Sequence, residues 1–164
     1  MTPKTAELGT LIHATLRSED LLPAFTDELR RLSESAGNAK DIALCDEIDA
    51  ELAALDTLAE VDGLEDVADT YWVSEHVSFL INEDLMDRLN NYAPPMCYFG
   101  SHCGDGSDFG FWMGELEDFD GLRVSDTSEV PADYSGEVLH VNDHGNVTLY
   151  SSDCGTLTEV WACV

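Results

Sequence analysis

The sequence predicts an α+β fold in which N-terminal helices pack on a C-terminal antiparallel β-sheet. Apolar residues recur with a helical period up to residue 92 and with a period of two from residue 96 onward. The chain of 164 residues has the length of one ordinary domain, and we see no repeat or linker that would divide it. We therefore expect a single domain, 1–164, with a mainly helical part, 1–92, and a sheet part, 96–164.

Three amphipathic helices are predicted in the first part, because apolar residues fall at spacings of three and four. Their apolar faces are Leu8, Leu11, Ile12 and Leu16, then Leu22, Phe25, Leu29 and Leu32, then Cys45, Ile48, Leu52, Leu55 and Ala59. Gly37 and Asn38 supply a helix stop and an N-cap between the second and third helices. Asn82 is predicted to cap a further short helix, which Pro94 and Pro95 end. The stretch 71–81 alternates as a strand would, although a helix starting at Ser74 also fits.

Short β-branched and aromatic runs predict the strands of an antiparallel meander. These runs are CYFGS, FGFWM, EVLHV, NVTLY and TEVWACV, separated by glycine- and aspartate-rich turns and one long acidic loop. Residues 104–107 are predicted to form a hairpin turn that binds no ligand. A second hairpin turn is predicted at NDHG, residues 142–145.

The stretch YFGSHCGDGSDFGFWMG, residues 98–114, is a candidate site because it combines a His–Cys pair with several glycines. The glycines lack the spacing of a dinucleotide-binding loop, and the aspartates lack that of a calcium loop. His102 and Cys103 alone are too few ligands for zinc. A nucleophile pair of Cys103 or Cys97 with His140 or His144 stays open. The preferred interpretation is a hairpin, with no catalytic residue, metal or cofactor.

The cysteine spacing and the distribution of apolar residues along the sequence indicate a cytoplasmic protein. Five cysteines without CxxC spacing are typical of reduced, mostly buried thiols rather than of a disulfide framework. Neither a signal peptide nor an apolar run long enough to span a membrane is predicted.

Residues 93–112, APPMCYFGSHCGDGSDFGFW, resemble a block found in small uncharacterised proteins of phages and mobile elements. An APP–aromatic strand–GDG–aromatic strand pattern recurs in that block. The resemblance covers about an eighth of the chain and brings no catalytic residues with it. It implies a phage or mobile-element origin and a structural hairpin. For a phage-encoded protein, the predicted cytoplasmic location would be the cytoplasm of the host cell.

The strongest signal is the charge. The chain carries 34 acidic and 7 basic residues, a net charge of −27, and no basic residue lies between Lys40 and Arg88. An ordinary surface mixes both signs, because like charges repel in the compact state. We therefore predict an acidic partner-binding surface on the third helix, the segment after it and the acidic loop, formed by Asp46, Glu47, Asp49, Glu51, Asp56, Glu60, Asp62, Glu65, Asp66, Asp69, Glu115, Glu117, Asp118 and Asp120.

Three hypotheses explain this charge. The first is a nucleic-acid mimic that binds the basic channel of a nuclease or CRISPR effector subunit. With the resemblance above, it becomes a phage counter-defence inhibitor of the anti-CRISPR or anti-restriction type. The second is haloadaptation, and the third is a small enzyme that uses Cys103, His102 or His144. We favour the first, with no enzymatic activity, no direct binding of nucleic acid or membrane, and a homodimer left open.

Overall fold

The computed structural model describes residues 6–61 and 63–164, and of Glu65 and Ala68 it describes the backbone alone. The predicted α+β class is confirmed, since helices dominate the N-terminal half and strands the C-terminal half. The chain divides into two compact units. The helical unit comprises residues 6–93 and Phe99–Phe111, and the sheet unit comprises Pro94–Tyr98 and Trp112–Val164. The single domain remains a prediction.

Five α-helices lie in the described part of the helical unit. They are α1 (Ser18–Ala36), α2 (Ala39–Ala59), α3 (Glu65–Trp72), α4 (Glu75–Phe79) and α5 (Met86–Asn90), with a π-helical segment, Leu80–Leu85, between α4 and α5. The predicted apolar face of α1 is confirmed by the nearly complete burial of Leu22, Phe25, Leu29 and Leu32. That of α2 is confirmed in part: Cys45, Ile48 and Leu55 are buried, whereas Leu52 is half-buried and Ala59 is exposed. The buried side chains, with those of α4, α5 and the π-helical segment, form the core of this unit.

The junction between α1 and α2 follows the prediction. Gly37 adopts a left-handed conformation, with φ of 70°, and ends α1. The Asn38 side chain accepts hydrogen bonds from the backbone N–H groups of Lys40 and Asp41, which caps α2. The two helices therefore turn back on each other over two residues.

The predicted N-cap at Asn82 is wrong. Asn82 lies inside the π-helical segment, and its amide donates to the carbonyl oxygen of Ser78. Ser74 is the cap instead: its Oγ accepts from the N–H of Val77 at 3.2 Å, which begins α4. Of the two alternatives predicted for 71–81, the helix that starts at Ser74 is therefore the one observed. Residues 71 and 72 belong to the preceding helix, α3. Asparagine can bond its own helix backbone, so residue type alone did not locate this helix start.

The predicted first helix is also wrong. Gly9–Ile12 form a strand, β1, which pairs with β3 (Asp105–Met113), and β3 has β2 (Cys97–His102) as its other neighbour. Leu16, assigned to the helix face, is 68% exposed. Spacings of three and four in so short a segment do not exclude a strand, and the partner of β1 lies about a hundred residues away in the sequence.

Gly110 allows β1 to approach β3. A Cβ at Gly110 would overlap the carbonyl oxygen of Gly9, while a Cβ at Gly106, on the same strand, would meet nothing within 4 Å. We expect Gly110→Ala to lower the free energy of unfolding by about 1–3 kcal/mol. Gly106→Ala, the matched control, should change it by less than about 0.5 kcal/mol. Urea denaturation measures both, and equal effects would contradict the close approach.

Four strands lie entirely within the sheet unit: β4 (Leu122–Val124), β5 (Gly136–Val141), β6 (Val147–Asp153) and β7 (Thr156–Cys163). The hairpins β5–β6 and β6–β7 are antiparallel, as predicted, and fully bury Val138, Leu139 and Leu149. However, β4 pairs with β5 in parallel. The predicted single meander is therefore two sheets, of three strands and four. The connection 125–135 between β4 and β5 is the crossover that a parallel pair requires.

The first hairpin turn is shifted from its predicted place. The turn between β2 and β3 lies at Cys103–Gly104 instead of 104–107, and Asp105 already belongs to β3. A two-residue connection is the commonest hairpin loop, and it closes before the GDGSD motif ends.

Candidate functional site

Helix α2 carries five of the predicted binding residues, and Glu60 is its C-cap. Glu47, Asp56 and Glu60 are exposed, and none has an ion pair among the described residues. Asp56 and Glu60 are separated by one helical turn, so their Cβ atoms are about 5–6 Å apart. Glu47, Asp56 and Glu60 thus present uncompensated negative charge to solvent.

Asp46 and Asp49 contact a cation of their own chain. Arg30, on α1, donates to Asp46 Oδ1 at 2.8 Å and to Asp49 Oδ2 at 2.6 Å. These hydrogen bonds raise the pKa of Arg30, while burial opposes the shift. Asp46 and Asp49 therefore join α2 to α1, and their charge is partly neutralised.

Glu51 is also engaged within the helical unit. Its Oε2 accepts from the hydroxyl of Tyr71 at 3.0 Å and lies 2.9 Å from Nε2 of His76. Burial and the neighbouring carboxylate raise the pKa of Tyr71 to about 12. Glu51 thus ties α2 to α3 and α4.

The other predicted acids lie in two places. Asp66 and Asp69 are exposed on α3, Glu65 begins that helix with a side chain outside the description, and Asp62 lies outside the described residues. In the sheet unit, the exposed acids of the loop before β4 are Glu115, Glu117, Asp118 and Asp120. The Arg123 guanidinium donates to the carbonyl oxygens of Leu116 and Glu117 and lies 5.9 Å from the ring centroid of Phe119. These contacts hold the loop against β4.

All five arginines of the chain are engaged. Arg17 pairs with Glu19 and Arg31 with Glu28, while Arg88 pairs with both Asp41 and Asp84. Arg30 of α1 contacts acids of α2, and Arg123 of β4 contacts carbonyl oxygens of the acidic loop, so each guanidinium is used inside the chain. The exposed carboxylates therefore dominate the surface potential.

The His–Cys motif forms the turn of the β2–β3 hairpin. His102 Nδ1 accepts from the N–H of Gly104 at 3.1 Å, and Cys103 is exposed. Asp105 accepts from both the N–H and the hydroxyl of Ser107, which lowers the pKa of its carboxyl. Each contact is local to the turn.

The loop between β5 and β6 is likewise organised by local bonds. Asn142 Oδ1 accepts from the N–H groups of His144 and Asn146. His144 is exposed. His140, on β5, lies with Nε2 3.1 Å from the carbonyl oxygen of Ser125. Within residues 6–61 and 63–164, no cluster of three His, Cys, Asp or Glu side chains could hold a metal ion.

The cysteines are free, in line with the prediction, but not mostly buried. Cys45 is buried and Cys97 is partly buried, whereas Cys103, Cys154 and Cys163 are exposed. Burial raises the pKa of the Cys45 thiol to about 11 and that of Cys97 to about 12. Both are therefore protonated at neutral pH and poor nucleophiles.

Sequence reasoning missed a buried polar cluster around Asp41. This carboxylate is 6% exposed and accepts from Arg88 at 2.6 Å, from the Tyr92 hydroxyl at 2.6 Å and from the Asn38 amide at 2.7 Å. By its position alone, Asp41 is an acid in the first turn of α2, where a negative charge is favourable. Arg88 lies 47 residues away in the sequence, so no local pattern indicated the pair.

The Asp41 cluster predicts loss of stability at alkaline pH. Burial, followed by the hydrogen bond to Asp41, raises the pKa of Tyr92 to about 12 from an ordinary value of 10.0. The folded state therefore favours the protonated phenol, and this stabilisation is present below pH 10 and lost as pH rises toward 12. We expect the urea midpoint to fall as the pH rises across this range. In Tyr92→Phe, the midpoint should fall less steeply with pH. An unchanged slope in Tyr92→Phe would contradict this assignment.

Comparisons with known proteins add no relative. No protein-family model matches the chain, and no curated protein or solved structure is significantly similar to it. None of the described helices is both long and apolar enough to cross a membrane.

Proposed function

We propose that this protein is an acidic inhibitor that occupies the basic nucleic-acid channel of a nuclease or CRISPR effector subunit. One observation carries the proposal: five exposed carboxylates have no ion pair among the described residues, while each arginine of the chain is already engaged. These carboxylates are Glu47, Asp56 and Glu60 at α2 and Asp66 and Asp69 on α3. A surface of this kind attracts a Lys- and Arg-rich channel over long range, as nucleic-acid phosphates do.

The position of two acids supports a binding role. Asp56 lies in the last turn of α2 and Glu60 is its C-cap, and this last turn contains no basic residue. The C-terminal end of a helix is its negative end, so acids there are unfavourable and cations would be favoured. An unfavourable local arrangement without an evident compensating contact is typical of a functional surface.

The proposal refines the predicted surface. Its central residues are Glu47, Asp56 and Glu60 on α2, with Asp66 and Asp69 on α3. Asp46, Asp49 and Glu51 support α2 through Arg30, Tyr71 and His76. We also propose a counter-defence role in a host cell, which is what the resemblance of residues 93–112 noted in the sequence analysis implies. We propose no catalytic role for Cys103, His102 or His144.

A competition assay tests this function. Purified restriction endonucleases and RNA-guided nucleases are incubated with the protein, and cleavage of a DNA substrate is measured. We expect inhibition of at least one nuclease, relieved by excess non-cleavable DNA and weakened at least about tenfold between 50 and 200 mM NaCl. Inhibition that DNA does not relieve would contradict occupation of the nucleic-acid channel.

Thermal unfolding in KCl distinguishes this function from haloadaptation. Screening of surface repulsion is nearly complete once the Debye length falls to about 3–5 Å, below 1 M salt. We therefore expect the Tm to rise with the first additions of KCl and then to level off. Unfolding at low salt, with a Tm that keeps rising in molar KCl, would favour the haloadapted alternative.

A further inference from the structure

The second half of the helical unit leaves large apolar side chains in solvent. Between residues 58 and 79 these are Leu58, Val61, Val67, Val73 and Phe79, with exposed fractions of 38–84%. Single exposed apolar residues are normal, but a concentration of them in one segment is typical of a binding surface.

A pocket of about 480 Å³ opens within this segment, with a wall that is almost entirely apolar. We call it the α3–α4 pocket. It is lined by Asp66, Val67, Thr70, Tyr71, Ser74 and His76. Its volume is sufficient for a large aliphatic or aromatic side chain.

The polar groups of the lining residues are largely satisfied within the chain. Tyr71 and His76 both contact Glu51, and the Thr70 hydroxyl donates to the carbonyl oxygen of Asp66 at 2.7 Å. The Ser74 hydroxyl donates to the carbonyl oxygen of Tyr71 and accepts from the N–H of Val77. The pocket therefore favours an apolar group over one that needs hydrogen bonds.

The charge around the pocket selects a cationic ligand. Asp66 lines it, Asp69 is exposed on the same helix and Glu75 begins α4, while the sequence from 41 to 87 contains no lysine or arginine. An anionic lipid surface or a nucleic acid would be repelled. A ligand that complements this pocket is thus both apolar and positively charged.

We propose that the α3–α4 pocket binds a large apolar side chain of a cationic amphipathic helix in a partner protein. The pocket is lined by α3 and the start of α4 and has no strand edge to which an extended peptide could add, whereas a helix satisfies its own backbone. Such a helix places an apolar anchor in the pocket and lysines or arginines beside the acids. This inference goes beyond the proposed function, because the helix can dock whether or not the partner binds nucleic acid.

Three synthetic peptides of about 18 residues, or five helical turns, test the proposal. The first is an amphipathic helix with a lysine-rich face and a tryptophan on the apolar face. The second replaces that tryptophan with serine, and the third replaces the lysines with glutamine. By isothermal titration calorimetry, we expect the second and third to bind at least about tenfold more weakly than the first. Equal binding of the first two peptides would overturn the proposal.

Variants of the protein locate the binding site. Val67→Ser removes part of the apolar wall and should weaken the first peptide about tenfold, and Val67→Trp should block the pocket. Val160→Ser, at a valine 39% exposed on β7, is the matched control and should bind as the unchanged protein does. Circular dichroism establishes that each variant is folded.

Two further outcomes are decisive. Unchanged binding in folded Val67→Ser and Val67→Trp would overturn the pocket assignment. A dimer by sedimentation that dissociates in Val67→Ser would instead identify a second copy as the occupant. Because these measurements contain no nucleic acid or nuclease, failure of the competition assay leaves their result unaffected.

Discussion

Reversing the charge of Glu47, Asp56 and Glu60 to lysine is expected to abolish inhibition while the protein stays as stable as before or becomes more stable. Affinity for the inhibited nuclease should fall at least about 100-fold, because each reversal replaces an attraction to a basic channel by a repulsion. The association rate should fall first, since long-range attraction accelerates encounter. Surface plasmon resonance at two salt concentrations measures both effects.

The stability of the same variant separates binding from folding. Asp56→Lys and Glu60→Lys place cations at the C-terminal end of α2, where each should stabilise the helix by about 0.3–1 kcal/mol. They also reduce repulsion in a chain of net charge −27. A Tm that holds or rises as inhibition disappears is a combination that a purely structural or solubility role of these acids does not predict.

A control with the same change in net charge tests whether the surface is specific. Asp133, Asp143 and Asp153 are exposed residues of the sheet unit, and their joint replacement by lysine adds the same six charges. We expect this control to retain most of the affinity. An equal loss of affinity in both triple variants would indicate a non-specific effect of net charge. Full inhibition by the α2 variant would refute α2 as the binding surface.

Replacing Arg88 by methionine is expected to lower the free energy of unfolding by about 3–5 kcal/mol. Arg88 is the cation that balances Asp41, whose side chain is 9% exposed. Methionine keeps much of the aliphatic length but leaves a buried carboxylate without a countercharge. Tyr92 and Asn38 still donate hydrogen bonds to Asp41, so part of the cluster survives.

Arg17→Met is the matched control for this effect. The Arg17 side chain is 69% exposed and pairs with Glu19 at 3.2 Å, so its loss should change stability by less than about 1 kcal/mol. Adding Asp41→Asn to Arg88→Met removes the unbalanced charge and should recover part of the stability. Equal midpoints of Arg17→Met and Arg88→Met in urea would contradict the assigned role of the buried pair.

The fold was predictable from sequence where the determining interactions are local. Gly37 and Asn38 identified the end of α1 and the start of α2, because a left-handed stop and a side-chain cap act within a few residues. Strands β5, β6 and β7 were predicted from their alternating pattern. The strand β1 was not, since its character depends on pairing with β3, about a hundred residues later in the sequence.

The candidate surface was predictable only as a set of acids. The spacing of residues along α2 indicated which carboxylates are exposed, but not which of them meet Arg30 or Tyr71 from other helices. The α3–α4 pocket left no pattern in the sequence, because it depends on how two short helices meet. Val73 and Phe79 belong to the alternating pattern of 71–81 that also fitted a strand. In the structure they are among the exposed apolar residues of this region.

The internal ion pairs use guanidinium groups rather than primary amines, and this affects how the protein reacts with chemical cross-linkers. Carbodiimide reagents join carboxylates to primary amines, whereas the cationic partners in the described ion pairs are arginines and one histidine. Lys40 is the single lysine of the described residues, so self-coupling should be sparse. Zero-length cross-links formed in a mixture would therefore report lysines of a bound protein and identify which acidic residues touch them.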